Sequence, residues 1–305
     1  MGKTDHPELQ DPLFGLFLLI SVISGVGNLG MVILTKVDAS LQTPMYFFLR
    51  HLSLTDFGYS TTVSCGPKML VSFVVDENKI PYYFCATQLA FFIMFFISEL
   101  FILSAMAYDR YVAIGHPLLY TVIMSPRLCC VLVVIPYNYS VILSSLTILK
   151  ILTSLFCDSN VIRHFYCSSL SLIALLCSDT QEIRLIILMF STFNLVSSLL
   201  IVVVFYTLIL VIILRMNSAE SRNKALSTFG SHLTVIPVFY GTLFFMYVQP
   251  KSSESFDTDK VASLFYTLVI PMLNPVIYSL RKKEVKNAVC RTWNMCTKNC
   301  LIYIM

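Results

Sequence analysis

The chain has 305 residues, 57% of them hydrophobic and 12% charged, with a formal net charge of +4 and a mean hydropathy of +0.78. A soluble core of this length cannot hide so much apolar surface, so lipid must cover much of it. The small positive excess suits anionic headgroups or an acidic cytosolic partner, and argues against nucleic acid as a ligand.

In chain order, a polar segment at 1–12 comes first, with no basic n-region and no clear cleavage site after the first apolar run. The first span is therefore expected to be its own signal anchor. About 20 apolar residues cross a bilayer core, and candidate spans recur at roughly 13–35, 45–72, 86–112, 128–150, 184–214, 229–248 and 261–280. The predicted fold is an all-α integral membrane protein. Its parts are a tail (1–12), a seven-transmembrane helix bundle (13–280) and a cytoplasmic segment (281–305). With the N-terminus extracellular, thirteen basic residues lie inside and eight outside, as the positive-inside tendency requires.

Two acids fall deep in these spans. Asp56 lies twelve residues after Pro44 and Glu99 eleven before Arg110, so both sit roughly 16–18 Å above the cytoplasmic boundary at about 1.5 Å per residue. Each costs several kcal/mol unless compensated. A bound cation or a shared proton would serve, with Asn28 and Asn274 completing the hydrogen bonds.

The third span ends in Asp109-Arg110. Such a pair is either a helix-end arginine lifted into the headgroups or one half of a two-state switch. Higher in the same span, Ile93, Phe96, Ile97 and Leu100 fall at i, i+3, i+4 and i+7, as do Tyr240, Leu243, Phe244 and Tyr247 in the sixth. Each set makes one stripe, which serves helix packing or a pocket wall.

Four cysteines, Cys85, Cys157, Cys167 and Cys177, lie on the outer side, where oxidation is allowed. They permit three pairings, and spacing selects none. Cys290, Cys296 and Cys300 lie inside, as palmitoylation sites or plain thiols. Helix seven carries Pro271 and Pro275 flanking Asn274, a pattern that favours a kink. The following KKEVKNAV has one basic and one apolar face, which suits a short amphipathic helix on the inner leaflet. The five histidines are scattered, and there is no H-E-x-x-H, G-x-S-x-G or P-loop, so no enzyme is expected. A transporter using the two acids is disfavoured by the odd span count and the lack of an inverted repeat.

Six blocks carry a resemblance. They are MAYDRYVAIGHPLLY (106–120), LQTPMYFFL (41–49), PKML (67–70), KALSTFGSHL (224–233), FYGT (239–242) and PMLNPVIYSLRKKEVKNAV (271–289). In this order they closely resemble the odorant receptors, a branch of the rhodopsin-like G-protein-coupled receptors.

The resemblance implies a receptor in the plasma membrane that binds odorants in the outer half of its helix bundle. Active receptor would engage the stimulatory olfactory heterotrimeric G protein and raise cyclic AMP. The stripes would then line the odorant cavity, with Phe190 and Asn194 on helix five and Thr267 on helix seven completing it. This lining has no formal charge, so small, neutral, volatile ligands are expected. The switch would comprise Asp109, Arg110, Tyr111, Tyr206, Asn274, Pro275 and Tyr278. Helices five and six would open a cleft containing Arg222, Lys224 and His232. The resemblance implies disulfides Cys85–Cys167 and Cys157–Cys177, and it favours sodium at Asp56, Glu99 and Asn274. No other cofactor is expected.

Some residues depart from the family pattern. The outer tail is short and lacks a glycosylation sequon, which makes an export chaperone an expected partner. The sequon at Asn138 falls inside helix four. Pro136-Tyr137 stands where a Ser-Trp pair is usual, and Gly115 and Phe229 replace cysteines.

Overall fold

The computed structural model describes residues 10–61, 80–153, 161–162, 180–220, 222, 223, 225, 226, 230, 237, 239–241, 243, 244 and 285–292. Helix α1 (Gln10–Val37) leads into a 3-10 turn (Ala39–Leu41) and α2 (Pro44–Tyr59). The two-residue strand β1 (Ile80–Pro81) precedes α3 (Tyr82–Gly115), the short α4 (Tyr120–Ile123) and α5 (Pro126–Leu152). Strand β2 (Val161–Ile162) and α6 (Thr180–Leu214) follow, and residues 285–292 form α7.

Among the described residues, four helices are long and apolar enough to cross a bilayer, at Leu18–Val37, Cys85–Gly115, Pro126–Leu152 and Gln181–Leu214. Helix α2 is also apolar, with Phe48, Leu49 and Leu52 buried. The predicted span at 261–280 lies outside the described residues, as does most of 229–248. The observed architecture is an all-α bundle whose outer faces on α1, α5 and α6 carry exposed Leu, Ile, Val and Phe. Such surfaces are stable against lipid and not against water.

Helix ends follow local chemistry. Asp38 caps the 3-10 turn by accepting from the Ser40 backbone N–H at 2.9 Å. Pro44 and Pro126 open α2 and α5, where a missing N–H is harmless. Ser125 caps α5 by accepting from the Leu128 N–H at 3.4 Å. Helix α5 runs through Pro136 without a break. At about 1.5 Å per residue, the 34 residues of α3 reach roughly 50 Å, well beyond the ~30 Å hydrocarbon core. Its ends therefore project into both interfaces.

Helix α3 is the hub, packed against α2, α5 and α6. Because lipid gives helices no hydrophobic reason to associate, close packing and hydrogen bonds must hold them. Ser98 and Ser140 bring their hydroxyls to 2.8 Å across α3 and α5, and Ser144 donates to the Ala90 carbonyl at 2.7 Å. On the other side, Gly58 of α2 lies so close to α3 that an added Cβ would overlap the Phe95 ring. At one end β1 and β2 pair antiparallel, Ile80 with Ile162 and Pro81 with Val161, joining the start of α3 to the loop after α5.

Candidate functional site

Three groups of predicted residues can be placed. The first is at the Gly115 end of α3. Asp109 is buried, and Arg110 Nη2 lies 2.8 Å from its Oδ2. Successive helical residues point about 100° apart, so the guanidinium must fold back to reach its neighbour. The contact is an ion pair by distance, without the alignment of a hydrogen bond. The other carboxylate oxygen, Oδ1, accepts from the Tyr120 hydroxyl at 2.7 Å.

Tyr120 opens α4, outside the spans. Burial first, and then the Asp109 carboxylate, push its phenol well above the usual range. The hydroxyl therefore keeps its proton and remains a donor. Tyr111 packs edge-on to His116, centroids 6.1 Å apart, and lies 5.6 Å from Phe205 of α6. Tyr206, the next residue on α6, is close enough to Arg110 to feel its charge. Asp109, Arg110, Tyr111 and Tyr206 thus come together, while Asn274, Pro275 and Tyr278 lie outside the described residues.

The second group is the buried acids. Asp56 is 0% exposed and Glu99 2%. Asn28, equally buried, donates through Nδ2 to the Ser24 carbonyl at 3.0 Å. The Ser24 and Ser60 hydroxyls meet at 2.9 Å. Among the described residues no three His, Cys, Asp or Glu gather as a metal cluster. Carboxylate, hydroxyl and amide oxygens are the donor types a hard cation prefers.

The third group is the predicted ligand lining. Phe96, Ile97, Leu100, Tyr240 and Leu243 are buried, with Ile93 half-buried beside them. Asn194 is 1% exposed and donates through Nδ2 to the Phe190 carbonyl at 2.7 Å. The Tyr240 hydroxyl faces Ser104 and Ser198 without closing an aligned hydrogen bond.

Two predicted lining residues need correction. Phe190 is 47% exposed and Phe244 64%, so their rings face outward. For Phe244 the reason is angular, because a stripe at i, i+3, i+4 and i+7 spreads over about 100° of helix surface and its edge turns outward. Tyr247 and Thr267 lie outside the described residues.

Comparison with known proteins decides the family. Residues 17–296 match the family model described as "Olfactory receptor". The chain is 71% identical over 293 residues to Olfactory receptor 8K3 of Homo sapiens, covering 96% of this chain and 93% of that protein. It is 64% identical over 288 residues to Olfactory receptor 8K5 of Homo sapiens, with 94% and 93% covered. Against Olfactory receptor 8U3 of Mus musculus it is 52% identical over 287 residues, with 94% and 89% covered.

The chain belongs to the olfactory receptor family. It is therefore a rhodopsin-like G-protein-coupled receptor, a multi-pass membrane protein whose partners are an odorant, a G protein and lipid, and it is not an enzyme.

The departures of this receptor from its family's pattern acquire a structural account. Where a tryptophan is usual, the Tyr137 hydroxyl lies 2.8 Å from Thr55 Oγ1 and 3.4 Å from the His51 carbonyl. Tyrosine thus supplies the polar link between α5 and α2. Asn138 sits within α5, donating to the Val134 carbonyl at 2.9 Å, so its sequon is helical. Gly115 lets Ile212 of α6 approach, since an added Cβ would stand 3.0 Å from Ile212 Cδ1. Phe229 lies outside the described residues.

Of the cysteines, Cys85 is disulfide-bonded. Its partner is outside the described residues, as are Cys157, Cys167, Cys177, Cys296 and Cys300. Cys129 is a buried free thiol, and Cys130 and Cys290 are exposed ones.

Sequence reasoning missed Tyr120 as the partner of Asp109. The signal was a tyrosine eleven residues on, within the same conspicuous block, but only a folded loop brings it back. It also missed Arg291, which donates from Nη2 to Asp38 Oδ2 at 3.0 Å and to Ser40 Oγ at 2.8 Å.

Proposed function

We propose that this olfactory receptor binds small, neutral, volatile ligands in the outer half of its bundle and activates a stimulatory olfactory G protein, raising cyclic AMP. The observation that carries the reading is the Asp109 carboxylate, buried between Arg110 and the Tyr120 hydroxyl at the end of the hub helix. One of its two attachments is a neighbour ion pair without hydrogen-bond alignment, and the other crosses to a short loop helix. Tyr120 holds the carboxylate in place for Arg110, and losing the Asp109 contact frees Arg110 toward the cytoplasmic mouth.

Ligand preference for one arrangement then shifts the population toward it. The apolar lining of Ile93, Phe96, Ile97, Leu100, Leu243 and Tyr240 supports neutral ligands, since a charged one would need a counter-ion. Seven spans with the N-terminus outside and display at the plasma membrane belong to the same reading. So do the disulfides Cys85–Cys167 and Cys157–Cys177, an interfacial amphipathic helix after the last span, and help from an export chaperone. A sodium ion held by Asp56 and Glu99, with Asn274, would stabilise the resting state by balancing two buried carboxylates. Burial of both acids supports it.

The test is cyclic AMP in cells carrying the receptor and the olfactory G protein, challenged with neutral odorant mixtures, with Arg110→Ala as the control. A response present in wild type and lost in the variant is expected. Silence of a receptor displayed at the surface would count against the reading.

A further inference from the structure

The Asn194 side-chain amide has only one workable orientation. Its Nδ2 group donates to the Phe190 carbonyl at 2.7 Å, and a carbonyl oxygen accepts but never donates. Exchanging the amide oxygen and nitrogen would press two acceptors together, so the partner settles an assignment that shape alone leaves open. Oδ1 is therefore the atom turned away from the helix's own backbone. It is buried, and among the described residues no donor reaches it. A desolvated amide oxygen in this state gains from any donor brought to it.

Its surroundings follow from register. Helices α3 and α6 run parallel, because Ser104 donates to the Ser198 carbonyl at 3.4 Å while Tyr108 and Tyr111 both meet Phe205 further along. Asn194 is one turn before Ser198 on the same face, and Leu100 is one turn before Ser104. One turn is about 5–6 Å, so Asn194 stands level with Leu100, near Ile97. Both are buried and apolar. One turn further along, the Tyr240 hydroxyl faces Ser104 and Ser198. The lining thus presents a fixed acceptor in an apolar wall.

We infer that this receptor selects ligands carrying a hydrogen-bond donor, small neutral alcohols and phenols, over carbonyl-only ligands of equal size, and that Asn194 Oδ1 makes the selection. The inference rests on the neutral-ligand reading above and narrows its class. An alcohol O–H pairs with Oδ1. A ketone, aldehyde or ester sets a second acceptor against it and leaves both desolvated without a partner.

The test uses the full-length receptor with surface display measured. Ligands are pairs matched in carbon skeleton, such as 2-octanol with 2-octanone and 1-octanol with octanal. Readouts are cyclic AMP and ligand-dependent thermal stabilisation of purified receptor, the second independent of G-protein choice. Wild type is expected to answer the donor member at roughly tenfold lower concentration. Asn194→Thr and Asn194→Val share one shape, yet only threonine keeps an oxygen that accepts while its hydroxyl donates to the carbonyl four residues back. The threonine variant should keep the preference, and the valine variant should lose it while still responding.

Equal potency of paired ligands in wild type, or a preference as strong in Asn194→Val as in Asn194→Thr, overturns the role of Asn194. A displayed receptor that neither signals nor is stabilised with any neutral pair overturns the neutral-ligand reading, and this inference with it. The two failures differ in whether any pair elicits a response.

Discussion

The Tyr137 hydroxyl lies 2.8 Å from Thr55 Oγ1, one residue before the buried Asp56. This bond ties α5 to the stretch of α2 that carries the acid. Removing the hydroxyl in Tyr137→Phe should destabilise the receptor by about 0.6–1 kcal/mol, the usual worth of an interhelical hydrogen bond in a membrane. Thermal unfolding of detergent-solubilised receptor would register it as a modest drop. Because Thr55 also donates to the His51 carbonyl at 2.9 Å, Thr55→Val should cost at least as much.

Tyr120→Phe should raise basal signalling. The substitution removes the donor to Asp109 Oδ1 and leaves the carboxylate with the misaligned Arg110 contact alone. At roughly 1.5–3 kcal/mol for a hydrogen bond to a charged group, the resting state loses about ten- to a hundredfold in weight. Ligand-free cyclic AMP, normalised to surface receptor, measures the change. Since the phenol's pKa is pushed upward, wild-type basal activity should not change through loss of this proton between about pH 7 and 9.

Gly58→Ala should lower folded, surface-displayed receptor, because its Cβ would overlap the Phe95 ring and overpacking costs about 1–3 kcal/mol. Pairing it with Phe95→Leu makes room. Recovery of display in the double variant, measured by surface labelling, is the expected result.

Gly115→Cys restores the residue usual in the family. Its Cβ would stand 3.0 Å from Ile212 Cδ1, so α6 must give by a few tenths of an ångström. Basal cyclic AMP should rise modestly, and Ile212→Val should cancel the rise by removing the methyl that is met.

The Asp38–Arg291 contact carries a pH signature. Hydrogen bonds from Ser40, and then Arg291, hold the Asp38 carboxyl below its ordinary value of 3.8. A lowered folded-state value means the stabilisation is fully present above about pH 4 and is lost as pH falls through the folded value. Hydrogen exchange of 285–292 in solubilised receptor should therefore be unchanged from pH 7 down to about pH 4, after correction for intrinsic rates, and lose protection below that. Asp38→Asn should remove the acid-dependent part.

Much of this was legible because lipid imposes a simple rule. Runs of about 20 apolar residues must be helices, so α1, α3, α5 and α6 were visible in the sequence to within a few residues at most ends. Asp56, Glu99 and Asp109 were conspicuous as acids among apolar neighbours, and all three are buried. The partners of such groups were not legible. Arg291 reaches Asp38 across 253 positions, and Tyr137 reaches Thr55 across 82; neither pairing leaves a periodic trace. Faces were read too generously, as Phe190 and Phe244 show, since hydropathy does not distinguish a side chain facing lipid from one facing a cavity.

Helix α3 is fastened to α5 by the hydroxyls of Ser98, Ser140 and Ser144, and these bonds have no water at hand to replace them if the helices slide. That flank is a pillar and its mount. On the opposite flank α6 meets α3 mainly through rings and aliphatic side chains, with the long 3.4 Å Ser104 contact, a greased surface that permits rotation. Any movement about the hub would therefore be lopsided by construction, with the α5 side as the stationary frame and the α6 side free to turn.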